Sequence, residues 1–268
     1  MSMSSLRDGA SISPEVRSFF RAIKENPDDD TPRLIFADWL QERGDAASAA
    51  RGEYLRLAVR RHRLPPDDPD YELLKRREAE IFTEHRWTWL GPLTDAARGW
   101  AFERGMMQIT ASAEKLLTPE VADWARTEAA LWIDALKITD LQRAHITPLV
   151  RCPLLSHLNT LDLSGNRTLG TGFRRLLRAF RNKSYPYLTQ LLLADNRLTG
   201  QQFLFKCSCF PRLRTLDLQN NRLEDTVARL LAGSFDITTG ITLLLGQNSF
   251  SSEGISLLSQ TCGEYVQF

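Results

Sequence analysis

Four nine-residue stretches in the second half of the chain decide the fold: LNTLDLSGN at 158–166, LTQLLLADN at 188–196, LRTLDLQNN at 213–221 and GITLLLGQN at 240–248. Each has leucine at its fourth and sixth positions and ends in asparagine, and we call them the leucine segments. The asparagines are 30, 25 and 27 residues apart. A period of about 20–50 residues is typical of repeat architectures.

With the apolar residue that follows each asparagine, the repeats extend over about 158–169, 188–198, 213–223 and 240–250. A degenerate copy around 133–141 has Ile133, Leu136 and Ile138 at the apolar positions, but leucine in place of asparagine. A second degenerate copy around 102–110 contains a predicted strand at 106–110.

The alternation within each segment predicts a short strand. Successive side chains of a strand point to opposite faces, so Leu161 and Leu163 turn to the same side and the residues between them turn away. One strand cannot bury its leucines alone, but stacked strands share a core. Each asparagine can satisfy backbone groups where the chain leaves the strand. Helical segments are predicted between the strands, at Thr171–Phe180, Gln201–Cys207, Thr226–Ser234 and Ser251–Thr261.

The pattern L-x-x-L-x-L-x-x-N-x-L with intervening helices resembles leucine-rich-repeat proteins of the ribonuclease-inhibitor-like class. The resemblance implies a right-handed α/β solenoid, a horseshoe, over residues 96–268. Residues 1–95 are predicted to form an all-α module that precedes it.

Four helices are predicted in residues 1–95. The first begins at Ser13-Pro14 and carries an apolar stripe, since proline is favoured in the first turn of a helix. The second begins near Thr31 and is expected to bury Leu34, Ile35, Trp39 and Leu40 before it ends at Gly44. The last two are predicted at 46–62 and 70–86.

A second resemblance lies in the same region. The string ADWLQERGD at 37–45, followed by RGEYLRL at 51–57, is similar to the repeat-companion domain of bacteria, which typically precedes leucine-rich repeats. The resemblance implies a bacterial protein and brings no catalytic residues with it.

Composition limits the environment of the protein. The 34 basic and 33 acidic residues give a net charge of +1, which provides no global attraction to nucleic acid or to an anionic membrane. Four cysteines are too few for a secreted disulfide framework, and the first ten residues are polar. We therefore expect a cytoplasmic location and no membrane partner.

No residue pattern indicates catalysis. The four histidines are scattered, and Cys207-x-Cys209 has the wrong spacing for a zinc knuckle. We predict no metal, no cofactor and no enzymatic activity. A charged cluster of Asp38, Glu42, Arg43 and Asp45 is interpreted as helix caps and ion pairs. The alternative is an enzyme with its site near Asp38, at the joint between the two parts of the chain.

The outward strand positions are the predicted binding surface, on the concave face that the resemblance implies. We expect a non-catalytic scaffold that binds another protein there. The predicted contact residues are Lys137, Thr139, Asp162, Ser164, Leu192, Asp217, Gln219 and Leu244.

An alternative function is recognition of an anionic partner, either nucleic acid or an acidic protein, through the basic stretch 167–214. The candidate anion-binding residues are Arg174, Arg175, Arg178 and Arg181, and the spacing of Arg174, Arg178 and Arg181 puts these three on one outer face of a predicted helix. Binding of this kind would weaken steeply with salt.

Overall fold

The computed structural model describes residues 12–167, 172–181, 183–200, 209–234 and 240–268. Leu169, Cys207 and the predicted helix at 201–207 lie outside these residues. The helices of the described part are α1 (Pro14–Glu25), α2 (Thr31–Glu42), α3 (Ala46–His62), α4 (Pro69–Leu90), α5 (Leu93–Ala96), α6 (Ala113–Leu116), α7 (Pro119–Trp124), α8 (Glu128–Leu131), α9 (Ile146–Arg151), α10 (Gly172–Phe180), α11 (Asp225–Ser234) and α12 (Ser252–Cys262).

The strands of the described part form one sheet in chain order. They are β1 (Ala97–Glu103), β2 (Met106–Ser112), β3 (Ile133–Thr139), β4 (Thr160–Asp162), β5 (Gln190–Leu192), β6 (Thr215–Asp217), β7 (Thr242–Leu244) and β8 (Val266–Gln267).

The chain divides into two compact units. Unit 1 runs to Ile109 and includes Pro119–Asp134, and unit 2 comprises Thr110–Thr118 and Ala135–Phe268. This division describes packing, and the domain boundary expected between residues 95 and 96 stays a prediction.

The first four helices of unit 1 lie where the sequence predicts them, because their caps are local. The Ser13 hydroxyl accepts a hydrogen bond from the Val16 backbone N–H at 3.2 Å, which caps α1. Asp45 accepts from the Ser48 backbone N–H at 2.8 Å at the start of α3. The predicted buried face of α2 is wrong in part, since Ile35 is 53% exposed and the next residue, Phe36, is buried.

The described residues 12–95 contain helices and no strand, but unit 1 extends further and also contains β1 and most of β2. Only Arg104 and Gly105 separate these two paired strands, and a connection this short requires antiparallel strands. Both residues have positive φ, 48° and 83°, as in the turn that best fits the twist of a hairpin. This hairpin makes the sheet mixed.

The leucine segments of unit 2 pair in parallel and in register. Leu136 stands opposite Leu161, which stands opposite Leu191, and the row continues through Leu216 to Leu243. All five are buried. The prediction that these side chains form one shared apolar row is therefore confirmed.

The predicted fold class is nevertheless wrong. The described residues are α/β, and their eight strands form one open, mostly parallel but mixed sheet. This mixed sheet replaces the parallel horseshoe solenoid expected over residues 96–268. The hairpin of β1 and β2 overturns that description, because it places an antiparallel pair of strands in the region predicted to be a solenoid of parallel strands joined by helices.

The segment asparagines have the structural role that the sequence predicts. The Asn221 amide nitrogen donates to the backbone oxygens of Leu193 and Leu218 at 3.0 and 2.9 Å. Its side-chain oxygen accepts from the backbone N–H groups of Asn196 and Leu198, both at 3.0 Å. One side chain thus holds two neighbouring turns together, and Asn166 and Asn248 make equivalent bonds.

The residue before each segment asparagine has a left-handed backbone. Its φ is 78° at Gly165, 58° at Asp195, 51° at Asn220 and 58° at Gln247. Asp140, before the position where the degenerate segment has leucine, also has a φ of 58°. The same turn therefore follows every one of these strands.

This turn predicts that Gln247→Gly stabilises the chain. A left-handed backbone costs a residue other than glycine about 1–2 kcal/mol, and the extra entropy of glycine in the unfolded chain offsets about 0.5–1 kcal/mol of that. We expect a gain of about 0.5–1 kcal/mol in urea unfolding. The control is Gln260→Gly within α12, which should lose about 1 kcal/mol. Equal losses in both variants would contradict the role of the turn.

Candidate functional site

The candidate site is the face of the unit 2 strands opposite the buried leucines, which we call the outward face. Strand register aligns Lys137, Asp162, Leu192, Asp217 and Leu244 side by side across β3 to β7. The predicted contact residues of this row are therefore brought together.

Exposure along this row is intermediate, except at its first member. Lys137 is 44% exposed, whereas the Asp162 side chain is 17% exposed and the two leucines are half-buried. Leu192 and Leu244 lie on the strands either side of Asp217. The row therefore presents a carboxylate between two apolar side chains, on strands about 4.8 Å apart.

The other predicted contact residues come at the ends of the strands. Ser164 and Gln219 donate backbone N–H bonds to Asp162 and Asp217, at 2.8 and 2.9 Å. Thr139 donates its hydroxyl to Asp140 at 3.1 Å. The two backbone bonds fix one oxygen of Asp162 and one of Asp217.

The two aspartates of the row differ in their charge partners. Lys137 Nζ lies 2.9 Å from Asp162 Oδ2. No lysine or arginine of the described residues lies within 4 Å of the Asp217 carboxylate. Asp162 is therefore already paired, and Asp217 has an oxygen available to a partner.

Burial raises the pKa of Asp217, and the nearby charges of Asp162 and Asp195 raise it further, although the bond from Gln219 opposes the change. A carboxyl group whose pKa is raised on folding favours the neutral form in the folded chain. Its ionisation therefore costs stability at neutral pH, and this cost disappears as the pH falls below the unfolded-state value. A cation brought by a ligand would offset the same cost.

The outward face has a third row that was not predicted, besides the row from Lys137 to Leu244 and the predicted row of Thr139, Ser164 and Gln219. Two residues before the first row, Ala135, Thr160, Gln190, Thr215 and Thr242 are aligned across β3 to β7. Gln190 is exposed and the others are half-buried. The strand alternation that gave the other rows predicts this one too, and it adds hydroxyl and amide groups to the surface.

No known family model matches the sequence, and a search of curated proteins finds no significant match. The two family resemblances stay predictions, and the function must be argued from the site.

The predicted anion-binding residues are exposed. Arg174, Arg175 and Arg178 lie on α10, and Arg181 follows the last residue of that helix. Arg175 contacts the Thr147 hydroxyl at 3.4 Å. Part of the basic stretch 167–214 lies outside the described residues, and recognition of an anionic partner there stays a prediction.

The cluster around Asp38 is occupied by caps and ion pairs. Asp38 is exposed and pairs with Arg56. Arg43 lies 3.9 Å from Asp45 and 3.7 Å from Glu128. We place no reaction at this cluster.

Among the described residues, no three histidine, cysteine, aspartate or glutamate side chains group in a way that could hold a metal ion. In the same part of the chain, no helix combines the length and apolar character needed to cross a membrane.

Cys152, Cys209 and Cys262 are buried, and burial raises the pKa of each thiol.

Sequence reasoning missed one unusual group in unit 1. Arg51 is 5% exposed and lies between the rings of Trp89 and Trp132. The sequence offers no signal for this, since Arg51 resembles any other arginine on a helix.

Proposed function

We propose that the outward face binds a segment of another protein that presents an arginine to Asp217 and apolar side chains to Leu192 and Leu244. The chain would act as a non-catalytic interaction module. The observation that carries this proposal is the unpaired Asp217 carboxylate between two half-buried leucines, next to an aspartate that already has its lysine.

Physical chemistry supports arginine as the partner group. A carboxylate and a guanidinium can form two parallel hydrogen bonds, which are stronger than bonds between neutral groups. Arginine is also enriched among the residues that dominate protein interfaces. Because Asp217 is held by the Gln219 backbone N–H, its carboxylate is oriented before a partner arrives.

The test is selection of peptides from a random display library against the full chain. We expect the selected peptides to share an arginine or lysine beside apolar residues. Asp217→Asn should weaken their binding at least about tenfold, as expected when one charged pair is lost. Asparagine keeps the oxygen that accepts from Gln219, so the free energy of unfolding should change by about 0.5 kcal/mol or less.

Two controls make this result specific. Glu224→Gln removes an exposed carboxylate outside the three rows and should leave binding unchanged. Asp217→Arg should restore binding to a peptide in which the arginine is replaced by glutamate. The proposal fails if the selected peptides bind Asp217→Asn and Leu192→Asp as tightly as the unaltered chain.

A further inference from the structure

Unit 1 contains a buried cation held between aromatic rings. The guanidinium carbon of Arg51, on α3, lies 3.9 Å from the ring centroid of Trp89 and 3.9 Å from that of Trp132. The two rings stack on the guanidinium and attract its charge. Stacking leaves its N–H groups, which point outward in the plane of the guanidinium, without acceptors.

None of these N–H groups has an acceptor among the described residues. All three guanidinium nitrogens of Arg51 are buried without a hydrogen-bond partner. Other buried cations of unit 1 do have acceptors, since Lys24 donates to the Ile133 backbone oxygen at 2.9 Å and Arg33 donates to the Asp29 backbone oxygen at 2.9 Å. A buried charge with neither acceptor nor counterion is costly and calls for an explanation.

A cavity lies beside this group. Its volume is about 150 Å³, and it is lined by Arg51, both tryptophans, Ser48 and Glu128, with Leu40 and two alanines among the apolar walls. An apolar cavity of about this size can hold a molecule as large as benzene. The cavity therefore combines room for a small ring or chain with one unsatisfied cation.

We propose that this cavity binds the carboxylate group of a small organic acid, with Arg51 as the anchor. A carboxylate accepts hydrogen bonds from two guanidinium N–H groups at once and also neutralises the positive charge. A water molecule could accept a hydrogen bond but would leave the charge without a counterion. The apolar walls and the tryptophan rings would take the carbon skeleton of the acid. This site is separate from the outward face, and neither proposal depends on the other.

The lining favours a carboxylate over phosphate. Arg51 is the only cation that lines the cavity among the described residues, and Glu128 contributes a carboxylate of its own. Burial raises the pKa of Glu128, and Arg43 opposes the change from 3.7 Å. The Glu128 carboxylate would repel a phosphate dianion more strongly than a carboxylate monoanion. Phosphate also has no apolar part to contact the apolar walls of the cavity. Entry to the shielded nitrogens needs a small side-chain adjustment, which is common on binding.

The test is titration of the full chain with benzoate, observed by NMR through the indole N–H signals of its six tryptophans. We expect the signals of Trp89 and Trp132 to shift and saturate. Benzamide, a neutral molecule of the same size, should bind at least about tenfold more weakly, because it lacks the charge that makes the hydrogen bonds strong. Inorganic phosphate should also bind more weakly than benzoate.

Variants show whether Arg51 is the anchor. Arg51→Met should abolish benzoate binding, and it should fold, since an apolar side chain of similar length often replaces a buried charge without loss of stability. Arg56→Met changes an arginine of the same helix whose side chain is 37% exposed, and it should leave binding unchanged. If Arg51→Met does not fold, Glu128→Gln keeps Arg51 and should tighten binding about threefold, the effect of one partly screened charge.

Three outcomes would overturn the proposal. Equal binding of benzoate and benzamide would make the cavity an apolar site without an anion anchor. Tighter binding of phosphate would make it a site for inorganic anions. No shift of the Trp89 and Trp132 signals with benzoate would show that no small acid binds there.

Discussion

Leu191→Ala lowers the free energy of unfolding by about 2–5 kcal/mol, the cost of removing a fully buried leucine and leaving a cavity. Leu191 is at the centre of the buried leucine row, opposite Leu161 on one side and Leu216 on the other. None of the three is more than 1% exposed. Urea unfolding measures the loss, and Leu216→Ala should behave in the same way.

The matched control is the adjacent residue. Leu192 lies on the same three-residue strand but on the outward face, where it is half-buried. Leu192→Ala should cost less than about 1.5 kcal/mol, because less apolar surface leaves contact with the protein. A larger loss for Leu192→Ala than for Leu191→Ala would mean that Leu192, and not Leu191, faces the core.

Asn221→Ala is expected to cost about 3 kcal/mol. The change removes the acceptor of two backbone N–H groups and the donor to two buried backbone oxygens. A buried group left without its partner costs about 1–3 kcal/mol, and these losses add only in part. Urea unfolding of the variant measures the sum.

The neighbouring asparagine provides the comparison. Asn220 is exposed and has a φ of 51°, so Asn220→Gly keeps the turn and should change stability by less than about 1 kcal/mol. If Asn221→Ala costs no more than Asn220→Gly, the segment asparagine is not what joins the neighbouring turns.

The features that local pattern controls could be predicted from the sequence. The alternation in LNTLDLSGN and its counterparts predicts which leucines are buried and which residues face outward. The helix starts at Pro14 and Ala46 are equally local, because each depends on a capping side chain one residue before it.

Features that depend on partners distant in the chain could not be predicted. The hairpin of β1 and β2 turns at Arg104-Gly105, and arginine is not a residue type that signals such a turn. Residues far from the hairpin in the chain stabilise this turn. Arg104 donates to the backbone oxygen of Pro27 at 2.7 Å and pairs with Asp30. The resemblance to a horseshoe carried no sign of this hairpin, and the predicted fold class was wrong as a result.

The candidate site shows the same division. Alternation alone places Asp162 and Asp217 on one surface. It does not show that Lys137 neutralises Asp162, or that Asp217 has no lysine or arginine partner in the described part of the chain. Arg51 is an extreme case, because its burial depends on Trp89 and Trp132, which lie 38 and 81 residues further along the chain.

The most direct test of this account is the rate at which thiols react at neighbouring strand positions in the native chain. A single cysteine would be placed in turn at residues 191, 192, 216 and 217. The unaltered chain gives the background reaction rate of the native cysteines. Cysteines at 192 and 217 should react quickly and those at 191 and 216 slowly, because adjacent strand residues face opposite sides of the sheet. Fast reaction at 191 and 216 with protection at 192 and 217 would contradict the placement of the buried leucines and the binding surface proposed from it.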